Sequence, residues 1–66
     1  MAYVEALQDI SEYDLFGIGS ENKVIISKGS RGRVTGEDRD FIDMKFFQVD
    51  SIYMFDKRDR KIRICR

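Results

Sequence analysis

Val24-Ile25-Ile26-Ser27-Lys28-Gly29-Ser30-Arg31-Gly32-Arg33-Val34-Thr35-Gly36 is the stretch that sets the architecture. Three consecutive β-branched residues lose side-chain freedom in a helix and pack well on a pleated surface, so Val24 to Ile26 is expected to be a strand. Ser27 to Gly32 then turns the chain, with Gly29 and Gly32 supplying backbone freedom for a bulge or tight bend. Arg33-Val34-Thr35 resumes extended structure, and Gly36 to Asp40 is a second, polar turn.

Downstream, Phe41 to Val49 alternates. Ile42, Met44 and Phe46 are expected to face a core and Asp43 and Lys45 solvent, while Phe41, Phe47 and Val49 make the second face partly apolar. Asp50 and Ser51 turn the chain into an aromatic-rich strand, Ile52 to Phe55. Asp56 to Arg60 is a charged turn, and Ile62 and Ile64 alternate around Arg63 in a last strand. Upstream, Tyr3 to Ile10 fits both helical and strand periods, and eight residues do not decide between them. Ser11 to Asn22 begins with polar turn residues and contains Gly17 and Gly19. It also holds Tyr13, Leu15, Phe16 and Ile18, so it reads as a loop folded over the body of the domain. The expected fold is mostly β: a small five-stranded barrel with a long loop after the first strand, as one domain over residues 1–66.

A chain of 66 residues buries only about 60% of its unfolded surface, so its core must be economical. Cys65 is the one cysteine and there is no histidine, which leaves neither a disulfide nor a zinc site to supplement packing. Stability of about 3–5 kcal/mol is expected. A free thiol suits a reducing compartment. The amino end carries Glu5 and Asp9 where a signal peptide would be basic and then apolar, and no apolar run reaches membrane-spanning length. A cytoplasmic protein without a membrane partner is expected.

The net charge of zero conceals sorting along the chain: residues 1–22, 23–36, 37–56 and 57–66 carry −5, +4, −4 and +5. Such blocks are expected to pair across neighbouring strands, or otherwise to leave a bipolar surface that steers a charged partner.

Ala6-Leu7-Gln8-Asp9-Ile10 resembles the Ala-Leu-x-Asp-aromatic strand that opens Src-homology-3 domains. Val24 to Ser30 is similar to their Leu-Ser-Phe-x-Lys-Gly-Asp segment, and the intervening residues would be the family's RT loop. The resemblance covers residues 6–34 and implies an SH3-like small barrel. Lys28 to Val34 also looks like the Gly-x-x-Gly-x-Val turn of other small barrels, including ribosomal, transcription-factor and prophage-type proteins. The departures are specific. Gln8 and Ile10 stand where the signalling members have groove aromatics, Trp and Pro are absent, and Phe46-Phe47 is a distant stand-in for the family's Trp pair. No proline-rich peptide is therefore expected as ligand.

Candidate chemistry is sparse. Glu37, Asp38, Asp40 and Asp43 cluster without a partner that would separate two pKa values, and they lack the glycine and terminal glutamate of a calcium loop. Cys65 has no histidine base. No catalytic residue, metal or cofactor is assigned. Gly17-Ile18-Gly19 lacks the third glycine and long helix of a dinucleotide fingerprint, and Gly36 would break the helix that a KH-type Gly29-x-x-Gly32 loop requires.

The expected function is a non-enzymatic protein-binding module that modulates or occludes a larger partner. Glu12, Tyr13, Asp14, Phe16 and Glu21 are the candidate contact residues, the acids selecting a basic partner surface and the aromatics anchoring it. The alternative is a nucleic-acid-binding barrel using two basic hairpins, Lys28, Arg31 and Arg33 in one, and Lys57, Arg58, Arg60 and Lys61 in the other.

Overall fold

In the computed structural model, which describes residues 2–66, Val24–Ile26 is a strand whose partner is Ile10–Ser11 rather than the strand that follows it. The element order is β1 (Tyr3–Ala6), β2 (Ile10–Ser11), α1 (Glu12–Phe16), β3 (Val24–Ile26), β4 (Arg31–Glu37), β5 (Phe41–Phe46), β6 (Ile52–Asp56) and β7 (Ile62–Cys65). Five strands form one strongly curled antiparallel sheet, ordered β6-β5-β4-β1-β7, and β2 and β3 form a small second sheet. The expected mostly β fold holds, with the main sheet curled into a half-barrel.

The ambiguous stretch Tyr3 to Ile10 is extended at both ends, in β1 and at the start of β2, with a bend over residues 7–9 between them. The long loop departs from expectation by containing α1. Gly32 lies inside β4 rather than in the preceding turn, and β5 ends at Phe46, so Phe47 to Val49 belongs to the connection toward β6.

The inner face is read directly from register. Ile64, Val4, Gly32 and Phe46 form one row across β7, β1, β4 and β5; Val34, Met44 and Tyr53 form the next across β4, β5 and β6. Ile42, Met44 and Phe46 are fully buried, as the alternation in β5 predicts. Ile10 and Ile26 pair across the small sheet and are buried in the same core cluster as Val4, Ala6, Phe55 and Ile62. The small sheet thus contributes to the core that the half-barrel surrounds.

Gly32 permits this curvature. A Cβ there would lie 2.6 Å from the Lys45 carbonyl oxygen and 2.9 Å from Phe46 Cα, so a side chain would force the β4 and β5 backbones apart. Further along, register shifts between Val34 and Gly36, which marks Thr35 as a bulge. Beyond it Glu37 stands opposite the buried Ile42 instead of continuing the outward row of Arg31 and Arg33.

Phe46→Ala should cost about 3–5 kcal/mol, as aromatic truncations in cores do, and leave the chain largely unfolded in water. Gly32→Ala should cost about 1–3 kcal/mol through overpacking. Circular dichroism in water without denaturant reads the first and urea denaturation the second, with Thr35→Ala, exposed at the bulge, expected to stay within about 0.5 kcal/mol of wild type.

Candidate functional site

A five-residue helix is too short to persist on its own, so α1 depends on its ends. Ser11 Oγ accepts the Asp14 N–H at 3.1 Å, and the Asp14 carboxylate accepts the Ser11 N–H at 2.9 Å, a reciprocal cap. Gly17, at φ 72°, takes the left-handed conformation that stops the helix, and its N–H donates to the Tyr13 carbonyl at 2.8 Å. The return leg is fastened by Glu12. Its Oε1 accepts the Ser20 N–H at 3.0 Å, its Oε2 lies 3.5 Å from Lys23 Nζ, and its backbone N–H donates to the Lys23 carbonyl at 2.8 Å. The Ser20 N–H and then the Lys23 charge hold the Glu12 carboxyl below its ordinary pKa. The Ser11 backbone N–H, with the Ser11 hydroxyl second, does the same for Asp14.

This bonding presents an apolar surface. Phe16 is 56% exposed and Ile18 74% exposed, with Tyr13 also solvent-facing. Phe16 meets Tyr53 of β6 edge-on, with ring centroids 6.2 Å apart. Glu12, Phe16, Ile18 and Gly19 line a shallow cavity of about 200 Å³. Of the five anticipated contact residues, Glu12 and Asp14 are engaged in holding the loop. Tyr13, Phe16 and Glu21 are exposed on it. Ile18 joins them; the clue in the sequence is a large apolar residue isolated between Gly17 and Gly19.

The two basic sets differ. Lys57 Nζ lies 2.6 Å from Glu37, Arg58 Nε 3.2 Å from Asp56 and Lys61 Nζ 3.4 Å from Asp59. Among the described residues, no acid lies within ion-pairing distance of Lys28, Arg31, Arg33 or Arg60. Arg31 instead covers the Tyr3 ring, 5.4 Å from its centroid. Arg33, Lys45, Phe46 and Phe47 line a second shallow cavity of about 210 Å³. Cross-strand pairing of the charge blocks is partly realised, in Glu5 with Arg63 and in Glu37 with Lys57 and Arg66, while other pairs close within turns.

The acidic cluster is dispersed by the fold. Asp38 accepts the Asp40 and Phe41 N–H groups at 2.9 and 2.8 Å, and Glu37 turns to Lys57 and to a two-pronged contact with Arg66 at 3.1 and 2.6 Å. Among the described residues, no three acid or thiol side chains gather closely enough to hold a metal ion, and no helix is long and apolar enough to cross a membrane. No family model, curated protein or solved structure matches the chain.

Arg66 and then Lys57 pull the Glu37 pKa from 4.5 down to about 2. Because the folded-state value is the lower one, the contribution of this carboxylate to stability is complete above about 4.5 and is lost as pH falls toward 2. Glu37→Gln should therefore melt below wild type at neutral pH, and the gap in Tm should close between these two values. Melting curves from pH 7 to 2 read the difference.

Proposed function

We propose that this chain is a non-enzymatic protein-binding module that acts by occluding or modulating a larger partner through the loop that carries α1. The observation that carries this reading is the exposure of Phe16 and Ile18 beside a shallow cavity, on a loop fixed by its own hydrogen bonds. Large apolar side chains held at a surface lose little freedom on docking and supply the anchors that dominate interface energies. Glu21 is the loop acid left to meet a basic partner surface, since the Glu12 and Asp14 carboxylates are occupied. Within the SH3-like reading, Ile10 and Phe46 are core residues rather than groove residues, which supports the expectation that proline-rich peptides are not the ligand.

Affinity capture from source lysate, wild type against a Phe16→Ala, Ile18→Ser double variant, tests the reading. A specific partner should be lost at least tenfold with the double variant while its melting curve stays close to wild type. An unchanged partner profile removes the loop from consideration.

Lys28, Arg31 and Arg33, which have no acid within ion-pairing distance among the described residues, favour with the exposed Phe47 beside Arg33 a second reading as a nucleic-acid binder. Single-stranded oligonucleotide should then bind at low salt, weaken as salt rises, and be lost in Arg31→Glu, Arg33→Glu but kept in Lys57→Gln, Lys61→Gln. No binding at low salt ends that reading.

A further inference from the structure

The main sheet is open, and its two edges are not alike. Among the described residues, β7 pairs only with β1, and β6 only with β5. β7 contains Arg63 and is flanked by Arg60, Lys61 and Arg66, so antiparallel pairing with its own copy would bring cations together. β6, Ile52-Tyr53-Met54-Phe55-Asp56, is less protected: it has no lysine, no proline and no register shift against β5, and its one charge, Asp56, lies at its end. Its outward residues Ile52 and Met54 are 61% and 64% exposed.

The residues flanking β6 are opposite in sign. Asp50 precedes the strand and Arg58 follows it; both side chains are solvent-exposed, and within one copy Asp50 lies 3.0 Å from Lys45 and Arg58 3.2 Å from Asp56, so a contact between copies extends these two pairs into a network of four charges. Two copies of β6 paired antiparallel about a two-fold axis perpendicular to the sheet keep outward residues together when a residue meets its own copy at the axis, and Asp56 there would set two carboxylates against each other. With Tyr53 at the axis, Asp50 opposes Asp56. With Ile52 there, Asp50 opposes Met54; with Phe55, Arg58 opposes Ile52. With Met54 there, the two Met54 side chains meet, Tyr53 opposes Phe55, Ile52 opposes Asp56, and Asp50 of each copy opposes Arg58 of the other, so that over residues 50–58 this register alone sets opposite charges against each other, twice. We infer that this chain associates with a second copy of itself along β6 in the Met54-centred register, joining two five-stranded sheets into one of ten strands. The edge supplies the unpaired backbone groups, and symmetry makes each charge contact occur twice. Five residues per copy make a small interface, so association is reversible and rises with protein concentration.

Sedimentation equilibrium across a concentration series, with hydrogen exchange of the β6 amides, tests this on the whole chain. Wild type should show a monomer–dimer equilibrium, with β6 amides slowing as concentration rises. Asp50→Lys and Arg58→Glu should each weaken dimerisation at least tenfold, and the double variant Asp50→Lys, Arg58→Glu should restore it. Met54→Lys, which sets two cations face to face, should give monomer at every concentration while melting as a folded protein. A wild type that stays monomeric throughout overturns the inference. So does a dimer indifferent to the Asp50 and Arg58 changes, because its contact then lies elsewhere.

Discussion

The close approach of β4 and β5 at Gly32 is the constraint on which the rest of the molecule depends. With no side chain at this point, the Lys45 carbonyl and the Phe46 backbone come within a distance that any Cβ would violate. Phe46 thereby sits fully buried in the inner row with Val4 and Ile64, and the sheet bends around it. Curvature in turn gives Ile10 and Ile26 of the small sheet a core to join. A flat sheet of this length would have one face uncovered, and a chain of 66 residues has no second layer to spare for it.

Curvature also brings the sheet's edges under one electrostatic tie. The bulge at Thr35 changes the face on which Glu37 falls, and its carboxylate reaches both Lys57, just after β6, and Arg66, just after β7. One acid thus bonds the segments that follow the two edge strands. Exposed pairs contribute modestly one by one, and the value of this one lies in joining segments that no ladder of hydrogen bonds connects.

The strands were legible where the side-chain period was clean. Ile42, Met44 and Phe46 announced their face because alternation over β5 has only one reading. Tyr3 to Ile10 did not, because it holds parts of two elements with different partners and a bend between them. The helix α1 was hidden for another reason: five residues have no measurable period, and the signal is the Ser11 to Asp14 cap spacing together with Gly17. For the candidate site, sequence singled out Tyr13 and Phe16, which are exposed, but not the division of labour among the loop's acids. Whether Glu12 faces a partner or the Ser20 amide depends on the path of the return leg. The basic turn after β6 carried a readable clue, since Asp56 and Asp59 each stand two residues before the base they neutralise.

The placement of β1 between β4 and β7 governs the order in which the fold is completed. Its two neighbours begin at residues 31 and 62, so β1 waits for more than fifty further residues before its pairing is whole. On a ribosome, an emerging chain has β1 exposed on one or both sides until β7 is free to join it. Non-local pairing of this kind slows folding, and here it ties completion of the β1 pairing to the emergence of β7.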